Sequence, residues 1–319
     1  MKNIKEEYFL NDYFICEKIL EQIYVFRKIL YKLKNTYENK LLVKKYWDYH
    51  LLKIKKFVEN KEKIQMIIPA FPVKSPNPHK TLSSIPDYAE VLALQKLDQI
   101  CESISEIYAP GAHIILCSDG RIFCDILPFI EKDVESYSSE IKNIIARENF
   151  KNLSIFNLEN MFSQNEYLKI KDNFVKEFPD NIESLKKKRF YSPDFFVMFS
   201  GLNKFIYEDL SYLFSDKEKP WLRNEAKNIT FQIIQRSNTW SKLIERNFPN
   251  AVRLSIHPQA AIGKKIGLNL IDADDIWRTP WHSVCCWKDN RFFLTTKENA
   301  EALGARLTKV DDKYPYYRV

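Results

Sequence analysis

Apolar positions recur at helical spacing over residues 4–60. Ile15, Ile19, Ile23, Phe26 and Leu30 step by four, four, three and four, which lines one helix face. The polar stretch Asn35–Asn39 predicts a break into two helices. The pattern then changes: Ile64–Phe71 is a compact apolar run of strand length. Helical period returns over Pro86–Tyr108, where Leu94, Leu97, Cys101 and Ile104 form the stripe. Pro86 suits a first helical turn, and Asp87 and Glu90 fall near the positive end of the helix dipole. Pro110-Gly111 ends this helix, and the apolar run His113–Leu127 follows, interrupted at Asp119-Gly120. Strand, helix and strand in succession predict a crossover and parallel pairing.

Further on, helical patterns occupy about 132–148 and 158–178, with a short strand at Leu153–Phe156 between them. Residues 181–248 read as mostly helical, with breaks at Pro193 and near Lys219-Pro220. Strands are predicted at Ala251–His257 and Lys265–Ile271, and a hairpin around Asp289-Asn290 within Ser283–Thr296. The expectation is an α/β protein with a Rossmann-like, mostly parallel sheet, a helical N-terminal extension (1–62) and a catalytic domain (63–319) carrying a helical insertion.

Composition narrows the function. Among 319 residues, 45% are hydrophobic and 14% aromatic, enough for a large core. The net charge of +7 is mildly basic, but much of the excess sits on helical faces of the first 65 residues, and the aromatics do not interleave with it. Nucleic acid is not an expected partner. Six cysteines without a CxxC, mostly inside apolar runs, indicate buried thiols in a reducing compartment. The N-terminus lacks a signal-peptide pattern, and no apolar run approaches the ~18–20 residues of a membrane span. The expected location is the cytoplasm.

Six glycines cannot build a GxGxxG or a Walker loop, so nucleotide fingerprints are excluded, as are HExxH and GxSxG. The Asp272–Asp275 run, "DADD", reads as a turn and helix cap, with a divalent-cation site as the alternative. The remaining polar clusters fall at predicted strand ends, where open α/β sheets bind ligands. Lys74, Ser75, Asn77 and Lys80 follow the first strand within "FPVKSPNPHK", and Ser118, Asp119, Gly120 and Arg121 follow the second. Arg253 and His257 lie on a later strand, and Trp281-His282 precede the last pair. Each cluster also has a plain reading: a rigid turn for "KSPNP", a hairpin loop for "SDGR", a core position for Trp281.

Five stretches stand in register: "FPVKSPNP" (71–78), "PDYAEVLALQKLDQIC" (86–101), "PGAHIILCSDGRIFCD" (110–125), "VRLSIHPQ" (252–259) and "TPWH" (279–282). Together they resemble the isocyanide (isonitrile) synthase family, also called the pyoverdine/dityrosine biosynthesis family. The resemblance spans roughly residues 64–290 and leaves residues 1–60 without a signature. It implies a lyase-type enzyme of secondary metabolism that turns the α-amino group of an aromatic L-amino acid into an isonitrile. The expected substrate is L-tyrosine rather than L-tryptophan, and the added carbon comes from ribulose 5-phosphate as co-substrate. It calls for no metal and no other cofactor. The pathway partner it implies is an iron(II)/2-oxoglutarate-dependent oxygenase.

That chemistry needs a base for the substrate amine and an acid for the departing hydroxyl. His257, with an ordinary pKa of about 6.5, and Asp119 are the catalytic candidates. Lys74 joins them, as an electrostatic anchor or, less readily, as a Schiff-base amine. Two anions also need holding, a phosphate and a carboxylate, for which Lys74, Lys80, Arg121 and Arg253 are candidates. Ser75, Asn77 and Ser118 are neutral donors, and Trp281 and His282 candidates to flank the substrate ring. The alternatives are another sugar-phosphate enzyme and a small-molecule-binding protein on the same fold.

Overall fold

The computed structural model describes residues 2–127, 131–160 and 180–319, with side chains from residue 11 onward. Part of the helical pattern expected at 158–178 lies outside the described residues. Two N-terminal helices, α1 (Lys2–Val25) and α2 (Tyr37–Glu59), precede β1 (Ile64–Ile68). Then follow α3 (Tyr88–Ser105), β2 (Ala112–Cys117), α4 (Glu131–Arg147) and β3 (Leu153–Phe156). The helical insertion comprises α5 (Ile182–Tyr191), α6 (Pro193–Leu213) and α7 (Lys219–Asn247), and β4 (Val252–Ser255) and β5 (Ile266–Gly267) complete the first sheet.

That sheet is parallel throughout, in the order β3-β2-β1-β4-β5. The Rossmann-like expectation is met, including the strand–helix–strand start. The alternation along β1 explains its two-sided burial. Ile64, Met66 and Ile68 join the core built with α1, α2 and α3, while Ile67 packs with Ile115, Cys117, Trp240, Leu243 and Ile244 under α7. The strand order reverses between β1 and β4, so the crevice beyond their carboxyl ends is the topological switch point.

Helix α3 opens at Tyr88, two residues later than Pro86 suggested. Asp87 is the N-cap, its carboxylate accepting the Ala89 N–H, and Glu90 reaches back to the Asp87 N–H in a capping box. The larger difference is at the end of α1. The apolar stripe continued through Leu30, yet the helix stops at Val25, and Phe26–Leu30 runs as an extended strap along the far edge of the sheet. Lys28 N–H donates to Gly267 O (2.7 Å), Leu30 N–H to Gln259 O (2.9 Å), and Asn269 N–H to Phe26 O (2.7 Å). Long-range backbone pairing outweighs the local period here.

A second five-stranded sheet was not anticipated beyond its central hairpin. It runs β6 (Asp272–Ala273), β8 (Arg291–Thr295), β7 (Val284–Lys288), β10 (Tyr314–Arg318), β9 (Arg306–Val310), and a short helix α8 (Lys297–Ala302) precedes β9. Asp289 and Asn290 both take left-handed φ (51° and 61°), as the hairpin turn between β7 and β8 requires. This sheet packs on the start of α3 through Ala89, Cys285 and Leu294, with Tyr88 against Phe292 and Tyr316. Cysteines are free thiols. No helix among the described residues is long and apolar enough to cross a membrane.

Candidate active site

The segment after β1 is rigid because it is bolted down on both sides. Lys74 is buried and its ammonium meets Glu90 Oε2 at 2.7 Å, Glu90 Oε1 at 2.8 Å, Asp87 Oδ2 at 3.0 Å and the Pro280 carbonyl at 3.2 Å. Tyr137 hydroxyl donates to the same Glu90. Burial opposes the Lys74 charge, but the carboxylates of Asp87 and Glu90 more than offset it and hold its pKa above the ordinary lysine value. Glu90 is pushed up by burial, with Lys74 pulling the other way.

Lys80 repeats this arrangement against the insertion. Its ammonium lies 2.8 Å from Asp209 Oδ1 and 3.0 Å from Glu208 Oε2, and donates to Phe205 O at 2.9 Å. Ser75 hydroxyl donates to Asp209 (2.9 Å) and Asn77 Nδ2 to Glu208 O (3.2 Å), so "KSPNPHK" is clamped to α6. The sequence suggested these lysines as open anion ligands. The structure instead surrounds both ammonium groups with carboxylates from α3 and α6, which neutralise them within the fold. Ser75, Asn77 and Lys80 thereby share one cluster, while Lys74 sits in another.

The "SDGR" stretch leaves β2 into a single 3-10 turn, Gly120–Phe123, rather than a hairpin. Asp119 caps that turn and grips Arg121 with both oxygens, Nε at 2.9 Å and Nη2 at 2.8 Å, while accepting the Leu158 N–H. Arg121 also reaches Glu159 at 2.8 Å. Ser118 hydroxyl donates to Phe71 O. Trp281 is core, edge-on to Phe71 at 5.5 Å between ring centres. His282 stacks on Phe205 (5.3 Å, 8° between planes) and contacts Thr279 Oγ1 through Nδ1. Burial first, then Lys80 and His257, keep His282 well below the usual histidine pKa.

At the end of β4 the balance of charge is different. His257 faces Trp277 at 5.8 Å, and its Nδ1 is buried with no hydrogen-bond partner among the described residues. Burial, with the Lys28 and Lys265 charges adding to it, brings its pKa down to about 4, so the imidazole is neutral at pH 7. Lys28 and Lys265 form no ion pair or hydrogen bond through their ammonium groups among the described residues, and burial lowers each to about 8. Arg253 spends two nitrogens on Ser241 of α7, Nη1 on the carbonyl and Nη2 on the hydroxyl, while its Nε is buried and unpartnered. Arg278 binds Asp274 through Nε, and its Nη1 is likewise orphaned. Trp277 lies against α6 at Gly201, where a Cβ would come within 2.4 Å of the indole.

The arrangement sorts the candidates. Asp119 and Arg121 are joined to each other, and His257 sits with Lys28 and Lys265 in a second group, with Arg253 bearing on Lys265. A neutral imidazole can take a proton from a neighbouring ammonium group, and the cations beside it, whose charges are only partly compensated, can bind an anion. Sequence reasoning missed Lys28, Lys265 and Arg278: lysine is common in this chain, and none of the three lies in a motif-like strand end. Asp274 binds Arg278 and Thr295, and Asp275 binds Lys204 and caps Trp277, so the "DADD" run acts as a turn and ion-pair hub.

Comparison with known proteins agrees with this architecture. The family model described as "Pyoverdine/dityrosine biosynthesis protein" matches residues 54–308. An L-tryptophan isonitrile synthase of Fischerella ambigua is 36% identical over 303 residues, covering 95% of this chain and 94% of that protein. An L-tyrosine isonitrile synthase of Pseudomonas aeruginosa is 30% identical over 306 residues, covering 95% and 93%. The crystal structure of the PvcA protein from Pseudomonas aeruginosa superposes with a TM-score of 0.87 at 30% identity, covering 96% of this chain and 99% of that one. The chain therefore belongs to the pyoverdine/dityrosine biosynthesis family.

Proposed function

We propose that this chain is an isonitrile synthase, converting the α-amino group of an aromatic L-amino acid to an isonitrile with carbon supplied by ribulose 5-phosphate. The observation that carries the reading is the neutral, half-buried His257 beyond β4, its Nδ1 unpartnered among the described residues and the Lys28 and Lys265 charges bearing on it. The names of the similar proteins support it. Among substrates, the sequence expectation favours L-tyrosine. The similar proteins include both tryptophan and tyrosine enzymes, so both amino acids belong in the test.

In this reading His257 accepts a proton from the substrate ammonium, freeing the amine to add to the sugar ketone. The imidazolium so formed can return that proton to the hydroxyl that leaves as water. Asp119 serves by fixing Arg121 and the turn after β2, a positioning role rather than contact with substrate. Lys74 and Lys80 hold the post-β1 loop, and His282 and Phe205 form a flat surface beside it. The product is an electron-rich isonitrile acid, suited to a downstream oxygenase of the iron(II)/2-oxoglutarate type.

The test is incubation with ribulose 5-phosphate carrying carbon-13 at C2, with L-tyrosine and L-tryptophan in separate tubes. Mass spectrometry should find a sugar-dependent product with one labelled carbon, and the infrared an isonitrile stretch. Folded protein that leaves both amino acids and the sugar untouched would overturn the reading. Conversion of the sugar without an amino acid would favour the alternative, a sugar-phosphate enzyme.

A further inference from the structure

We infer that Lys28, carried on the Phe26–Leu30 strap, is an anion-binding residue of the His257 site, taking the phosphate group of the sugar phosphate. The inference rests on the proposed reaction for the identity of that ligand, but not for the existence of the anion site. It makes the N-terminal segment, which lies outside the 54–308 match to the family model, a working part of the site.

Three observations meet at this residue. The first is that its backbone is fixed. Lys28 N–H donates to Gly267 O at 2.7 Å and Lys28 O accepts from Gln259 N–H at 3.2 Å, with a further anchor where Arg27 Nη2 donates to Ala261 O at 2.6 Å. The strap thus runs along the segment that links β4 to β5, the same segment that carries His257. The second is the closeness of that approach. A Cβ on Gly267 would stand 2.4 Å from Lys28 O, 2.9 Å from His257 O and 3.0 Å from Gln259 N, so three stretches of backbone converge where only glycine fits. The third is charge. The Lys28 ammonium is half-buried and has no ion pair or hydrogen bond among the described residues.

The charged groups bearing on it do not cancel it. Asp275 attracts it, yet Asp275 is already bound to Lys204 at 2.6 Å. His257 is neutral, and Lys265 adds a further positive charge to it. A desolvated lysine without a carboxylate is costly to keep charged, and a dianionic phosphate would offset several such cations at once. By contrast Lys74 and Lys80, the lysines of the loop after β1, already face carboxylates.

The test uses the full chain as wild type, Lys28→Met and Lys28→Arg, each checked for folding by circular dichroism. Calorimetry would follow inorganic phosphate, ribulose 5-phosphate and L-tyrosine separately. Lys28→Met should weaken both phosphate-bearing ligands by about tenfold or more, the loss of a charge-assisted contact, and leave L-tyrosine unchanged. Lys28→Arg should recover most of the loss. The apo protein should be no less stable in Lys28→Met, because a buried unpaired charge has been removed, while stabilisation by phosphate should fall away. Unchanged phosphate binding in folded Lys28→Met, or weakened L-tyrosine binding in its place, would overturn the assignment. Lys28-dependent phosphate binding in a protein that makes no isonitrile would retain the anion site and remove the proposed reaction.

Discussion

The Lys74 ammonium lies 2.7 Å from Glu90 Oε2, and both side chains are fully buried. This contact joins the loop after β1 to the first turn of α3, and the capping box of α3 draws on the same carboxylate. Breaking such a pair leaves a charge stranded in the interior. Lys74→Met should therefore cost about 3–5 kcal/mol in urea unfolding. Adding Glu90→Gln, which keeps an acceptor without the charge, should return much of that loss. An unfolding midpoint equal to wild type for Lys74→Met would show that the pair contributes nothing.

The lysines near His257 set a pH dependence with a definite sign. Lys28 and Lys265 are lowered from the usual lysine value of 10.5 to about 8 by burial. Groups lowered in the folded state favour folding above their unfolded pKa, and that contribution is lost as pH falls through the folded value. At pH 7 both carry charge that the fold does not fully compensate, and a bound phosphate relieves it. Phosphate should raise the melting temperature more at pH 7 than at pH 9.5, where both lysines are largely neutral. Equal shifts at the two pH values would place the phosphate elsewhere.

His257 is the residue on which the chemistry turns. His257→Gln should lower kcat by about 10²–10⁴-fold, the usual contribution of a positioned acid–base group, with the melting temperature little changed. An activity within threefold or so of wild type would transfer the proton work to another side chain.

Gly201 and Trp277 touch with no room for a methyl group: an added Cβ would meet the indole at 2.4 Å. Alanine is the better helix former, and in an exposed position this change would stabilise α6 by about 1 kcal/mol. Here overpacking should reverse the sign, destabilising by roughly 1–3 kcal/mol. The displaced indole should also change the tryptophan fluorescence and perturb the His257 ring beside it. A more stable Gly201→Ala protein would mean that Trp277 moves freely.

The parallel sheet was legible because its strands are buried on both faces and read as near-continuous apolar runs, such as Ile64–Ile68, interrupted by Gln65, and Ala112–Cys117, interrupted by His113. The hairpin at Asp289-Asn290 was legible from turn chemistry alone. Strands β9, "RLTKV", and β10, "YPYYR", were not, since they are short and largely polar or half-exposed, with a proline inside one of them. The strap hid for a different reason: Phe26 and Leu30 continue a helical stripe, and only residues far along the chain supply the hydrogen bonds that pull them out of it. In the site, sequence located the loops but not the charges on them. Lys74 was legible as a special lysine, yet its carboxylate partners, Asp87 and Glu90, read as ordinary helix-start residues. Lys28 and Lys265 carried no local mark, because what distinguishes them is the lack of an ion-paired carboxylate among the described residues.

The strap also orders events in time. Arg27 and the Ala261 carbonyl it binds are 234 positions apart, and the long-range backbone hydrogen bonds of Phe26–Leu30 go to residues 259–269. During synthesis α1 can meet α2 almost at once, but the strap must stay unpaired until most of the chain has left the ribosome. Closing so long a loop is slow relative to the local helix contacts. The Lys28 corner of the site is thus among the last parts of the protein to form, and a nascent chain can hold a folded α1–α2 pair while unable to bind its anion.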